Sequence, residues 1–183
     1  MKGRGRGLSR QMKGRGTGRG KAGRTKSTTS TSPKGLSDYF YYIGSAKQAS
    51  DYVVVTKYLI NHIRKTYTFG DDIAEALEKR APMDFNKLMP TLQVSDSSDE
   101  ATKARENKQF EMLYEAEIAS FVKRKDVYKS NLGNAYAFLY GQCNKAMQNK
   151  IQAWTDFEST IKNDPIKLLE AIQQQSITYQ EKM

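Results

Sequence analysis

Guanidinium and ammonium groups are the residues of this chain whose type and spacing point most directly to a chemistry. They crowd residues 1–35, which hold eleven Lys and Arg, nine Gly and no carboxylate. Cationic side chains on a glycine-rich backbone pair with phosphates, and the flat face of Arg stacks on bases. The candidate nucleic-acid-binding residues are Arg4, Arg6, Arg10, Lys13, Arg15, Arg19, Lys21, Arg24 and Lys26.

Nearly all of the chain's net charge lies in residues 1–35, which we call the basic segment. The whole chain carries +10, and residues 36–183, the body, hold 19 basic and 20 acidic residues. The basic segment is too poor in apolar side chains to fold, so we expect it to be disordered. We favour RNA binding without sequence specificity, and RNA over DNA by analogy with other Gly-Arg tails. A solubilising tail, a nuclear-import signal and a histone-like contact with DNA are the alternatives.

The body offers few residues for catalysis or for metal binding. Cys143 and His62 are its only Cys and His, and they cannot form a tetrahedral zinc site without carboxylates. We interpret Cys143 as a small buried residue at a helix junction, and His62 as a residue near a helix end. Without a catalytic constellation we expect no enzyme activity, no cofactor and no small-molecule substrate.

Two charged clusters in the body have structural explanations. Asp71 and Asp72 follow a glycine and precede an apolar run, which suits an N-cap and a partner of the helix dipole. Lys123, Arg124 and Lys125 occupy one helical turn, and we favour a solvated helix face there. The alternative for this turn is an extension of the basic surface.

Helical periodicity in the body predicts an all-α fold, a bundle of about five or six helices. Residues 38–43 are compatible with a short strand or with a first helical turn. Asp51 is the expected N-cap of the next helix, and Gly70 is its expected end. Asp71 is then expected to cap a short helix. The apolar residues predicted to be buried in these two helices are Val55, Leu59, Ile63, Ile73, Ala74 and Leu77.

Residues 81–98 contain two of the four prolines of the chain. We predict that they form a linker and that this linker is mobile. A long helix is expected from Ser98, with an interruption at Gly133 because glycine weakens helix interiors. Asp164 and Pro165 predict the start of a last helix that buries Ile166, Leu169 and Ile172. The aromatic residues expected to lie mostly in the core are Phe110, Tyr114, Phe121, Tyr128, Tyr136, Phe138, Tyr140, Trp154 and Phe157.

Four stretches follow one another between residues 121 and 172: FVKRKDVYKSN, AYAFLYGQCNKAMQNKIQ, WTDFE and DPIKLLEAI. An earlier block, VTKYLINHIRKTYTFGDDIAEALE, spans residues 55–78. In this order they resemble the capsid region of the Gag polyprotein of copia-type LTR retrotransposons, above all in diatoms and related protists. The resemblance covers about residues 36–177 of the chain and consists of packing residues and charges.

The resemblance implies a structural protein that assembles with its own copies and packages RNA in cytoplasmic virus-like particles, a nuclear location being the alternative. Many Gag proteins of this kind carry a zinc knuckle, which one Cys and one His cannot form. We therefore expect an amino-terminal piece of a Gag protein. The second interpretation is a small RNA-binding protein, without sequence specificity, whose helical body is a scaffold. No apolar run approaches the ~18 residues of a membrane span, so no membrane partner is expected.

Overall fold

The structure, a computed structural model, describes residues 35–44 and 47–180, and the side chains of these residues up to residue 178. All of them belong to one unit of the chain, which begins at Thr31. The disorder expected for the basic segment and all nine of its candidate nucleic-acid-binding residues lie outside the described residues. The architecture given below is therefore that of the body.

Five α-helices make up most of the described body, which confirms the predicted all-α fold. They are α1 (Gln48–Thr66), α2 (Gly70–Lys79), α3 (Glu100–Gly141), α4 (Lys145–Gln152) and α5 (Pro165–Gln180). A turn of 3₁₀ helix at Phe85–Leu88 follows α2, and a turn of π helix at Phe157–Ile161 precedes α5. Over residues 35–44 and 47–180 the chain forms no β-strand.

Residues 38–43 form neither a strand nor a helical turn, so both expectations for them are wrong. One parallel bridge joins Tyr41 to Cys143. The N–H of Tyr41 donates to the carbonyl of Gln142 (2.9 Å), and the carbonyl of Tyr41 accepts from the N–H of Asn144 (3.0 Å). These two bonds fasten the start of the body to the junction between α3 and α4.

Side-chain caps mark helix starts, although only some of them are where the sequence predicts. Asp164 accepts a hydrogen bond from the N–H of Ile166 (2.8 Å) and caps α5 as predicted. Asp99, one residue after the expected start of the long helix, caps α3. Asp51 and Asp71 are not N-caps, because α1 and α2 begin before them. Both lie in first turns, where a carboxylate still interacts favourably with the helix dipole.

The corner between α1 and α2 depends on Gly70. The expectation that Gly70 ends the first helix is wrong, since α1 ends at Thr66 and Gly70 is the first residue of α2. A β-carbon on Gly70 would lie 2.5 Å from the carbonyl oxygen of Arg64 and 2.6 Å from that of Ile63. Both contacts are with backbone atoms, so a residue without a β-carbon is needed for α2 to start this close to α1.

α3 continues through Gly133 without a break, so the predicted interruption is wrong. One glycine weakens a helix by only about 1 kcal/mol relative to alanine, and buried residues on both sides of it, Tyr128 and Ala135, hold the helix to the bundle. With its 42 residues, α3 is about 63 Å long at 1.5 Å per residue. A domain of about 150 residues has a radius of gyration of only ~15 Å. The helix is thus too long to be covered by the bundle along its whole length.

A single core joins α1, α2 and α5 with the second half of α3 and with α4. The predicted apolar faces of α1, α2 and α5 are confirmed, because every residue expected to be buried on them is buried. They are Val55, Leu59, Ile63, Ile73, Ala74, Leu77, Ile166, Leu169 and Ile172.

Candidate functional site

The candidate cations from Arg4 to Lys26 all precede Gly35, where the described residues begin. Their contact with nucleic acid stays a prediction from composition. The structure does describe the candidates of the body, which are the basic turn of α3, the lone cysteine and histidine, and the surface of α3.

In the basic turn of α3, residues 123–125, the arginine forms an ion pair and the two lysines face solvent. The Nε and Nη2 atoms of Arg124 donate to the two carboxylate oxygens of Asp72, at 2.7 and 2.6 Å. These hydrogen bonds raise the pKa of Arg124, whose guanidinium also lies 5.9 Å from the centre of the Phe69 ring. The expected solvated face is therefore wrong for Arg124. Lys123 and Lys125 are exposed and keep their charges available to a polyanion.

Asp72 is only 4 % exposed, although the sequence suggests no more for it than a place in a helix end. Its partner Arg124 lies 52 residues away in sequence. No local pattern predicts a pair at such a separation.

Cys143 is a buried residue between α3 and α4, as predicted. Its thiol donates to the carbonyl of Leu139 (3.5 Å), and burial raises the pKa of the thiol far above its usual range. The thiolate needed for nucleophilic attack is thus strongly disfavoured. The ring of His62 stacks on Phe138, with 5.3 Å between the ring centres. Within the described part of the chain, no three His, Cys, Asp or Glu side chains are placed to hold a metal ion.

Residues 88–97, which we call the strap, run along the first half of α3 in the opposite direction. Leu88, near the start of the strap, shares a shallow cleft with Phe121. Further along, Gln93 shares another cleft with Phe110. As the residue numbers of the strap rise, those of its neighbours on α3 fall, so the two segments are antiparallel.

The linker predicted over residues 81–98 is attached to α3 at both ends. Near its start, Phe85 is buried and packs edge-on against two aromatic rings of α3. Near its end, the N–H of Ser95 donates to the side chain of Asn107 (2.8 Å) and its hydroxyl donates to Glu106 (2.5 Å). Its mobility stays a prediction, but any movement must break these contacts or carry α3 with it.

The residues of α3 before Tyr128, which we call its first half, lie outside the core, which the sequence did not predict. No residue of α3 before Tyr128 is buried. The expectation that nine aromatic residues lie mostly in the core is confirmed, because Tyr128 and Phe157 are buried in it and five others are half-buried and pack against it: Phe121, Tyr136, Phe138, Tyr140 and Trp154. Phe110 and Tyr114 are half-buried on the side of α3 that faces the strap. Large apolar side chains are exposed on the strap and on this half of α3: Leu88, Met89, Leu92, Val94, Met112, Leu113 and Val122. A concentration of exposed apolar side chains is typical of an interaction surface.

No family model, curated protein or solved structure matches the chain. Among the described helices, none has both the length and the apolar character that crossing a bilayer requires. The described surface of the body that stands out chemically consists of exposed apolar side chains on α3 and the strap, with exposed lysines beside them. This chemistry suits binding to a macromolecule.

Proposed function

We propose that this chain is a Gag-like structural protein of a copia-type retrotransposon. Its helical body associates with further copies of itself, and its basic segment holds RNA without reading the sequence. The assembled form is a particle in the cytoplasm. Catalysis, a cofactor and a small-molecule substrate have no part in this function.

The observation that carries the proposal is the separation of charge along the chain. Eleven cations and no carboxylate occupy residues 1–35, whereas the remaining residues are nearly balanced in charge. Neutralising the phosphates of RNA needs many cations that can follow an irregular backbone, which a glycine-rich segment provides. A nearly neutral body can approach other copies of itself without strong repulsion. This separation of charge suits a protein that binds a polyanion through its basic segment and binds further copies of itself through its body.

The exposed apolar surface supports the self-association part of the proposal. A subunit that assembles must bury apolar surface against its neighbours, and it exposes that surface as a monomer. Seven large apolar side chains are exposed on the strap and the first half of α3. The ordered resemblance of residues 55–78 and 121–172 to copia-type Gag capsid regions is the second support.

RNA binding is tested by the salt dependence of affinity in the full-length protein. If the nine candidate cations each contact a phosphate of single-stranded RNA, affinity should fall about 10³–10⁴-fold between about 50 and 200 mM salt. A full-length variant with all nine changed to Gln should bind weakly and lose most of this dependence. The control variant changes three exposed lysines of the body, Lys57, Lys145 and Lys150, to Gln and should bind as the unchanged protein does. A flat salt response of the unchanged protein would contradict electrostatic binding.

Assembly is tested separately, by light scattering and electron microscopy of the full-length protein with and without RNA. The proposal expects particles, or at least large oligomers, when RNA is added. RNA binding by a protein that stays monomeric throughout would instead support the second interpretation, a small RNA-binding protein with a helical scaffold. Loss of both RNA binding and assembly would reject both functions.

A further inference from the structure

One face of the first half of α3 is uncovered. The strap covers the opposite side, where Phe110, Tyr114 and Phe121 are half-buried. On the uncovered side seven residues follow one another at intervals of three or four, the spacing by which one helix packs against another. All seven are exposed, and we call them the outward face: Ala101, Ala104, Lys108, Met112, Glu115, Ala119 and Val122.

The outward face has a mirrored order of residues about its middle. The centre lies between residues 111 and 112, and six of the seven residues form pairs at equal distances on its two sides, with Met112 beside the centre. The counterparts are Ala101 and Val122, Ala104 and Ala119, and Lys108 and Glu115. Apolar residues therefore mirror apolar residues, and a cation mirrors an anion. A surface with this order is complementary to itself when it is turned by 180°.

Building on the self-association in the proposed function, we propose that the outward face is a dimer interface. A second copy of this chain packs its α3 antiparallel on the first, around a two-fold axis beside Met112. Lys108 of each copy then pairs with Glu115 of the other, so that two ion pairs form. The alanines let the two helix axes approach to about 8 Å. Met112, 64 % exposed in the single chain, is covered at the centre.

The two charges on the outward face are available for this pairing. Within the described part of the chain, neither Lys108 nor Glu115 takes part in an ion pair, whereas Lys162 and Glu158 pair within one helical turn. Lys108 and Glu115 lie seven residues apart, or about 10 Å along the helix. That separation is too great for the two side chains of one copy to form an ion pair with each other.

A second copy fits this face better than RNA does. RNA would bring phosphates against Glu115 in the middle of the face, and its binding would leave the apolar residues without partners. Another copy provides a cation for each anion and an apolar residue for each apolar one. A two-fold contact closes on itself and makes a dimer, so a particle needs at least one further contact elsewhere on the chain.

The test uses charge reversal in the full-length, nuclease-treated protein, with sedimentation equilibrium at about 0.15 M salt as the readout. Lys108→Glu and Glu115→Lys each replace two ion pairs with two repulsive pairs, and each should raise the dimer dissociation constant at least about 10-fold. Mixing the two variants should restore dimers, because in the mixed pair both contacts again join opposite charges. Circular dichroism of each variant alone checks that the helices are retained.

The control is Lys129→Glu, a reversal on an exposed position of α3 beyond the outward face, which should leave the dissociation constant unchanged. Dimers of the unchanged protein that the two reversals do not weaken, or that mixing does not restore, would overturn this interface and leave the proposed function standing. A monomeric unchanged protein would overturn it as well, and the assembly experiment with RNA would then decide the proposed function alone. Restored dimers in the mixture without particles on adding RNA would keep the interface and reject particle assembly.

Discussion

Arg124 of α3 and Asp72 of α2 form a two-pronged ion pair, with their nitrogen and oxygen atoms 2.6 and 2.7 Å apart. The Arg124 side chain is 36 % exposed, whereas that of Asp72 is 5 % exposed. The pair joins the long helix to the bundle just where α3 begins to enter the core. It therefore fixes the position from which the uncovered first half of α3 extends.

Arg124→Gln should destabilise the fold by about 2 kcal/mol, because it removes the cation from a carboxylate that water reaches poorly. The measurement is the free energy of unfolding by urea, followed by circular dichroism. The matched control is Arg64→Gln, since Arg64 also bridges two carboxylates but one of them, Asp71, has a side chain that is 85 % exposed. That change should lower stability by less than about 1 kcal/mol. Equal losses for the two variants would show that burial of Asp72 adds nothing to the pair.

Local signals explain which parts of the fold the sequence predicts. Apolar residues at helical spacing identified the buried faces of α1, α2 and α5, because the pattern and the burial share the same period. Asp164 before Pro165 marked the start of α5 through chemistry confined to one turn. The predictions that Asp51 and Asp71 are N-caps were wrong, because residues just before them in the sequence can also begin a helix, and α1 and α2 begin there.

Features that depend on distant residues were not predictable from one sequence. The spacing around Phe110 shows which residues share a face of α3, but not whether the strap or the core covers that face. The pairing of Asp72 with Arg124 joins positions 52 residues apart. For the candidate site, composition alone proposes the cations of the basic segment. The outward face was not predicted, because alanines and single charges are also typical of an ordinary solvated helix surface. Only the structure shows which side of α3 the strap leaves uncovered.

The same substitution should have opposite effects at two glycines. At Gly133 no heavy atom would lie within 4 Å of a new β-carbon, so Gly133→Ala should stabilise the protein by about 0.5–1 kcal/mol through helix propensity. At Gly70 the new β-carbon would meet two backbone oxygens at 2.5 and 2.6 Å, so Gly70→Ala should destabilise it by about 2–3 kcal/mol. Thermal and urea unfolding measure both. A stabilising Gly70→Ala would mean that α2 does not pack this closely on the end of α1.

Stability should fall steeply in alkaline solution because of buried tyrosines. The hydroxyl of Tyr41 hydrogen-bonds to Thr56 (3.0 Å), and burial raises the pKa of Tyr41 far above its usual range. Burial also raises the pKa of Tyr52 and Tyr128. The fold keeps these phenol protons at a pH where the unfolded chain has released them. Their contribution is therefore complete below about pH 10 and is lost as pH rises further, at up to about 1.4 kcal/mol per pH unit for a tyrosine that stays protonated in the fold.

Urea unfolding at a series of pH values, with tyrosinate absorbance recorded alongside, measures this loss. Tyr41→Phe should lower stability by about 1 kcal/mol at neutral pH, since the hydrogen bond between Tyr41 and Thr56 is lost. Above about pH 10 the same variant should lose stability less steeply than the unchanged protein, because one phenol that resists ionisation in the fold is gone. Tyr42→Phe, at a side chain that is half exposed, controls for the substitution itself. Parallel curves for Tyr41→Phe and the unchanged protein above that pH would show that Tyr41 ionises as readily in the fold as in the unfolded chain.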